Sequence, residues 1–509
     1  MRPIHALLLA AGLTACPQGA VEHMPAPTAT LGADTTAPTP TVVLPDSPAG
    51  RLAREFFDVL NRADVEGIRA YFAENSSPAL LTAEPLDAAL PQWKLLLEQA
   101  GGFDLVAVAP GTPGAEDLTL TLRARAVDRN LVITFTLDAR GQFSMFRGNI
   151  PDPPDPGKLP TVAMPEAELA PAIARRVAEL AAADRFSGVV LVLAGDRELV
   201  RAVHGHAEKS FAAPNNFDTK FNLGSMNKMF TGVAIGQLVE QGKLSFEDTV
   251  LEVLPDYPDR AFAEKATLHH LLTHSSGIGG NIFDDRMYEH RDRFKNPADY
   301  LPLFADAPPA FAPGERFGYA NTGFIVLGMI IERVSGQSYY DYVHDHVFAP
   351  AGMRDTAAYA WDEVVPNLAV GYDPDLTDIF RVGPRRTNIS LLPYRGSPAG
   401  GGYSTVPDLR AFAAALRGHR LLGAAMTETV TGPKIDFEGF GKYGYGFLTF
   451  GVEGRDVRGH SGGHLGINGA LEMFWDGSYT VIVLANYGSG AAEVVAGEIT
   501  GLLAAQRPS

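Results

Sequence analysis

Cysteine is nearly absent from this chain: one residue, Cys16, in 509. An intrachain disulfide, a Cys-based zinc site and a Cys-x-x-Cys redox pair are all excluded, and the single thiol has to be explained by its position. Positive charge is also scarce, with 42 Lys and Arg against 59 Asp and Glu, a formal net charge of −17, and no Lys/Arg-rich run. Nucleic-acid binders usually present a basic stripe, so a DNA or RNA partner is not expected. No internal repeat at solenoid periods is found. A His-Glu-x-x-His zinc motif is missing too: His269-His270 is followed by Leu271, and His274 has no carboxylate at motif spacing, so all three read as structural or loop histidines. What is present, 46% hydrophobic and 20% charged residues, suffices for at least one sizeable core, and the length suits two or three globular units.

Cys16 closes a segment with one basic residue, Arg2, and a short apolar run, Leu7-Leu8-Leu9-Ala10-Ala11. This is the pattern of a secretory signal, too short to span a bilayer of about 30 Å. Leu13-Thr14-Ala15-Cys16 resembles the bacterial lipobox, which implies acylation of Cys16 and an exported, membrane-anchored lipoprotein facing the periplasm or cell exterior. The alternative is a plain signal peptide with a chance cysteine. Residues 17–48, rich in Pro, Thr and Ala, are expected to form a disordered tether.

From 49 to 150 helical spacing (Arg51 to Leu60, Val65 to Phe72, Trp93 to Leu97) gives way to alternation (Asp117 to Ala126, Leu131 to Leu137, Phe143 to Phe146). The pattern predicts a small α+β domain with an antiparallel meander, and the order resembles nuclear-transport-factor-like or cystatin-like folds. It carries no catalytic constellation, so it reads as an accessory domain for an unknown protein partner. A Pro-rich linker, 151–164, follows.

The remainder, 165–509, is predicted to begin with a helix (Glu166 to Ala183) and two strands about a Gly-Asp turn. It ends on a hairpin at Asp476-Gly477 and a helix, Ala491 to Ala504. Strands at both ends of a long helical and loop segment predict one sheet with an inserted helical lobe. Within that lobe, Ser225 and Lys228 lie three apart at the start of the apolar helix that runs to Gly242. At that spacing their side chains share one face. A serine hydroxyl is a weak nucleophile unless a neighbour takes its proton, and a lysine desolvated in an apolar helix has its pKa lowered toward that task. The bland alternative is a surface serine with a snorkelling lysine. Tyr319-Ala320-Asn321, before the apolar helix Ile325 to Val334, and Gly459-His460-Ser461-Gly462-Gly463, entering the terminal strands, are the other candidates. A buried tyrosine packing in a core is the plain reading of the former.

Together these motifs resemble the serine β-lactamase and penicillin-binding-protein superfamily, in the branch of class C β-lactamases, D-Ala-D-Ala carboxypeptidases, D-aminopeptidases and esterases. Leu271-Leu272-Thr273-His274-Ser275-Ser276-Gly277, Pro350 to Thr356 and Ala399-Gly400-Gly401-Gly402 match as well, and the likeness spans about residues 165–505. It implies an α/β fold, an antiparallel sheet flanked by helices with an inserted helical lobe. It implies Ser225 as the acyl-accepting nucleophile, Lys228 and Tyr319 sharing proton transfer, and Asn321, His460 and Gly462 binding substrate. The oxyanion hole would be the backbone N–H groups of Ser225 and Gly463. No metal or organic cofactor is required. His460 stands where β-lactamases of this branch usually carry lysine, which removes a fixed positive charge and makes β-lactamase activity less expected; some D,D-peptidases and esterases of the family carry His there, so it does not choose between those two.

Gly459 to Gly463 also fits the G-x-S-x-G nucleophile elbow, but no helix is predicted after Ser461, which that elbow needs. The expected function is therefore a Ser225 acyl-enzyme hydrolase of small peptide or ester substrates. A D,D-peptidase or D-aminopeptidase on peptidoglycan stem peptides is one form of it. The rivals are a broad esterase or weak β-lactamase, and a non-catalytic penicillin-binding or sensing lipoprotein.

Overall fold

The computed structural model describes residues 42–506 apart from 84–85, 111–116, 152–156, 376–377, 438–440 and 489. The signal segment with Cys16, residues 17–41 of the tether and residues 152–156 of the linker thus lie outside the described residues. The chain divides into two units, residues 1–156 with 374–385, and residues 157–373 with 386–509.

In the first unit four helices, α1 (Pro48–Asn61), α2 (Val65–Asn75), α3 (Pro78–Ala83) and α4 (Leu86–Ala100), precede an antiparallel sheet of β1 (Phe103–Pro110), β2 (Asp117–Ala124), β3 (Asn130–Leu137) and β4 (Phe143–Asn149), in that order. Helix α1 starts where Ser47 Oγ accepts the Gly50 N–H and Pro48 occupies the first turn. It buries Leu52, Phe56, Val59 and Leu60. Alternation on β2 and β3 turns Leu118, Leu120, Leu122, Leu131, Ile133 and Phe135 inward. Rings of Phe56, Phe72, Trp93, Phe143 and Phe146 fill the core, Phe72 and Phe146 edge-to-face at 4.7 Å.

Two expectations need correction here. The meander has a strand, β1, that sequence alternation did not reveal. On this edge strand only Phe103 is buried and Val106 is 40% exposed, so burial imposes no period of two. Residues 374–385, assigned from sequence to the C-terminal domain, belong to the first unit. Phe380 is fully buried in its core, and the Ile379 N–H donates to Gln99 Oε1 at 2.9 Å.

The second unit is built on an eight-stranded antiparallel sheet. Helix α5 (Glu166–Ala182) leads to β5 (Gly188–Ala194) and β6 (Arg197–His204); the inserted lobe contains α6 (Asn227–Glu240) and α7 (Asn321–Ser335). The chain returns as β7 (Leu448–Val452), β8 (Arg455–His464), β9 (Ile467–Phe474), β10 (Tyr479–Ala485) and α8 (Ala491–Ala504). The order across the sheet is two short strands, Ile435–Asp436 and Lys442–Tyr443, then β7-β8-β9-β10-β5-β6. First and last strands meet because β10 pairs with β5, Val481 opposite Val192. Strand β5 is apolar without alternation because both its faces are covered. Leu169, Ile173 and Val177 of α5 and Val495 and Ile499 of α8 pack on one side, and Met229, Val233 and Leu238 of α6 belong to the core on the other. Inside the first layer Arg176 and Glu498 form a bidentate pair at 2.8 Å, each under 10% exposed. Among the described residues no helix is long and apolar enough to cross a membrane.

Candidate active site

The nucleophile turn is set by a pair of two-residue strands, Phe221–Asn222 against Tyr403–Ser404. Asn222 Oδ1 accepts the Gly224 N–H at 3.0 Å and its Nδ2 donates to Gly401 O at 3.1 Å. The chain then enters a 3₁₀ turn, Gly224–Met226, that runs directly into α6. Gly224 has φ +50, and a Cβ there would lie 3.0 Å from Gly463 N, so both conformation and space require glycine. Ser225 therefore sits on the turn ahead of α6 rather than within it, and Lys228 one turn on.

Helix α6 is buried all round, and Lys228 with it, fully enclosed. Its Nζ lies 3.0 Å from Ser225 Oγ, 2.8 Å from Asn321 Oδ1 and 2.6 Å from Ala399 O. Two of these partners only accept, and none is a carboxylate. A neutral amine satisfies the set: its two N–H bonds go to Asn321 and Ala399, and its lone pair faces the Ser225 hydroxyl. Burial pushes the Lys228 pKa well below that of a free lysine. Ala399 enters through a backbone carbonyl, which no side-chain motif reveals; the glycine run after it was the only signal.

Tyr319 precedes α7; burial raises its pKa, and the Ser225 side chain offsets part of that rise. Its position is held by His274. The His274 carbonyl accepts the Gly318 N–H at 2.8 Å, its Nδ1 accepts the Ala320 N–H at 3.1 Å, and its ring stacks on Tyr319 at 4.2 Å. Nε2 has no hydrogen-bond partner among the described residues, and burial keeps the ring neutral. Sequence reasoning placed His274 among incidental histidines. Its grip on both sides of Tyr319 became visible only when the two loops met.

Strand β8 supplies the opposite wall. Its pairing with β7 ends at Gly459, opposite Leu448, while pairing with β9 continues to His464. Among the described residues no strand pairs with residues 460–463 on the β7 side. Gly462 and Gly463 lie against the nucleophile turn: a Cβ on Gly462 would fall 2.0 Å from Leu223 O and 2.8 Å from Ser225 N. A Cβ on Gly224 would fall 3.0 Å from Gly463 N, so the absence of side chains on Gly224 and Gly462 is what lets the turn and the strand approach each other. His460 is 5% exposed; its Nε2 is 2.8 Å from the Tyr443 hydroxyl and its Nδ1 faces Ser461 O.

Ser461 lies within β8 with a strand after it, so the elbow geometry is not formed. His269 Nδ1 meets the Tyr445 hydroxyl at 2.9 Å and His270 Nδ1 accepts the Thr267 N–H at 3.2 Å. Among the described residues no group of His, Cys, Asp and Glu is arranged to hold a metal ion.

The beta-lactamase family model matches residues 173–506. Penicillin-binding protein 4* of Bacillus subtilis is 29% identical over 312 residues, 59% of this chain and 68% of that protein. Esterase EstB of Burkholderia gladioli is 33% identical over 186 residues, 34% of this chain and 47% of the esterase. The crystal structure of a penicillin-binding protein from Bacillus halodurans superposes with a TM-score of 0.58 at 34% identity, covering 63% of this chain and 98% of that one. With Lys228 Nζ 3.0 Å from the Ser225 hydroxyl inside the matched region, the chain belongs to the beta-lactamase family and is a serine hydrolase of the β-lactamase and penicillin-binding-protein type.

Proposed function

We propose that the protein hydrolyses small amide or ester substrates through an acyl-enzyme on Ser225, as a D,D-peptidase or D-aminopeptidase-like enzyme or an esterase. The observation that carries this reading is the Lys228 environment: an enclosed amine 3.0 Å from Ser225 Oγ whose other two partners are carbonyl oxygens. In the first step the Ser225 oxygen bonds to the substrate carbonyl carbon while its proton passes to Lys228. The oxyanion lies between the N–H groups of Ser225 and Gly463. Tyr319, whose raised pKa keeps it protonated, relays a proton to the leaving group as its bond to carbon breaks. Water then attacks the ester by the reverse route. Asn321, its Oδ1 engaged by Lys228, offers Nδ2 to the substrate's carbonyl. The similarity to an esterase supports the ester branch; that to penicillin-binding proteins supports the peptide branch. Acylation of Cys16 and an exported location, near stem peptides, complete the proposal on sequence grounds alone.

The test is a burst of nitrophenol from a nitrophenyl ester, stoichiometric with enzyme, and a peptide-mapped acyl adduct on Ser225. Both should vanish in Ser225→Ala, and undiminished turnover by that variant would sink the reading. Membrane release by Cys16→Ser, with loss of the lipid mass, tests the anchor.

A further inference from the structure

A cavity of about 210 Å³ lies beside the start of α6, and none of Ser225, Lys228, Tyr319, Asn321 and His460 lines it. Its walls include Asn227 of α6, Tyr339 and Tyr340 of the short helix Tyr339–Val343, and Arg395 and Tyr403. Two of the tyrosine hydroxyls are spent within the protein. Tyr340 donates to Gly396 O at 3.0 Å. Thr231 gives its own hydrogen to Pro398 O at 2.8 Å, so the Tyr339 O–H is the donor in its 2.8 Å bond to Thr231 Oγ1.

Two other polar groups of the walls are not spent. Asn227 is 5% exposed; its Nδ2 reaches Ser397 O only at 3.5 Å, and its Oδ1 has no hydrogen-bond partner among the described residues. A buried acceptor without a donor is costly, and a ligand that brings an N–H or O–H removes that cost. Arg395 is half-buried, its Nε donating to Ala358 O at 3.0 Å and its guanidinium lying 3.8 Å over the Tyr340 ring. These contacts hold the group in place. No carboxylate pairs with it among the described residues, and its terminal nitrogens keep the planar donor fork that matches a carboxylate. Ring walls with a few convergent polar groups are the make-up of a small-molecule site. An apolar cavity of about 150 Å³ takes up benzene, so the volume here suits one ring with a short chain.

We propose that this cavity binds a small aromatic monocarboxylate carrying an N–H or O–H donor, at a place separate from the site of acylation. The carboxylate pairs with Arg395, the ring lies among the tyrosines, and the donor serves Asn227 Oδ1. The cavity shares its walls with the segments that set the catalytic groups. Leu223, which also lines it, gives its N–H to Gly402 O at 2.8 Å. Tyr339 acts through Thr231 on Pro398, next to the Ala399 carbonyl that takes Lys228 Nζ at 2.6 Å. An occupant therefore acts on kcat rather than on substrate binding, a consequence that rests on the acyl-enzyme reading above.

The probe is 3-(4-hydroxyphenyl)propionate, titrated into the full-length protein by calorimetry. The comparison compounds are 3-phenylpropionate, which lacks the donor, and 4-propylphenol, which lacks the carboxylate. Each should bind about 10-fold or more weakly than the probe, a result that needs no variant. Arg395→Gln should remove the preference of the probe over 4-propylphenol. With a nitrophenyl ester as substrate, saturating probe should change kcat about 2-fold or more and leave KM unaltered. No binding of the probe, equal binding of all three compounds, or undiminished preference in Arg395→Gln overturns the site. A KM that climbs with probe concentration at constant kcat puts the probe in the catalytic cleft and overturns it as well. If the ester is not turned over at all, the acyl-enzyme reading fails, while the titrations still decide the cavity.

Discussion

At the scale of single residues, Lys228 and Tyr319 press on the Ser225 hydroxyl from two sides with pKa values displaced in opposite directions. The base works deprotonated, so kcat/KM for an ester should rise with pH and level off at a midpoint below the 10.5 of a free lysine. Tyr319 acts protonated and its pKa is raised, so the alkaline decline belongs above 10.0. Lys228→Arg keeps a cation where a free amine is needed and should lose about 10²- to 10⁴-fold in acylation, read by pre-steady-state burst kinetics. A rise centred at or above the ordinary lysine value would contradict the assignment of Lys228 as base. His274 has φ +57, which asparagine tolerates better than alanine, and Asn retains an acceptor for the Ala320 N–H. His274→Ala should lower kcat about 10- to 100-fold with KM little changed, and His274→Asn should recover part of the loss. Equal kcat in both variants and the unaltered enzyme would remove His274 from the positioning of Tyr319. Ser225, Lys228, Tyr319 and Asn321 stood out in the chain because each lies in a short motif that carries the resemblance to the family. Ala399, His274 and Tyr443 did not, since each acts through contacts made only after distant loops meet.

At the scale of elements, β9 and α8 enclose Glu472, whose carboxyl bonds the Thr500 hydroxyl and whose pKa is raised to about 7, chiefly by loss of solvent. The unfolded chain releases this proton near 4.5, so between there and about 7 the folded state holds a proton the unfolded state has lost. Stability should fall as pH rises through that window and be flat above it. Glu472→Gln should cancel the fall, raising stability at pH 8 by on the order of 1–3 kcal/mol relative to the unaltered chain. Denaturant melts at pH 4, 6 and 8 check this, and an unchanged pH slope in the variant would refute it. Helix and strand boundaries in this unit followed the sequence closely where burial is one-sided or complete: α8 runs from Ala491 to Ala504 as its apolar period requires. Edge strand β1 escaped, because partial exposure on both faces leaves no alternation to detect.

At the scale of the whole molecule, the division into units does not follow the order of the chain. Residues 374–385 leave the second unit and bury Phe380 in the core of the first. Phe380→Ala should destabilise the first unit by about 3–5 kcal/mol, the usual cost of emptying a buried phenylalanine site. Hydrogen exchange should quicken at the β2 and β3 amides of Leu120, Ile133 and Phe135 and stay unchanged at Val190 and Val192 of β5. Unaltered protection in β2 and β3 would show that Phe380 is not part of that core.

Composition alone determined that this chain is acidic and free of internal disulfides, while the order of its serine, lysine and tyrosine motifs carried the resemblance to the family. Spacing determined the sheet with an inserted lobe, because apolar strand patterns stand at both ends of the segment and helical patterns between. Tertiary structure alone decided that Lys228 lies 3.0 Å from Ser225 Oγ, that the Tyr443 hydroxyl meets His460, that His274 grips Tyr319, and that residues 374–385 serve the other unit. The physical reason is that protonation and packing depend on what surrounds a group in space. Those surroundings come from residues tens to hundreds of positions away, where local periodicity carries no information about them.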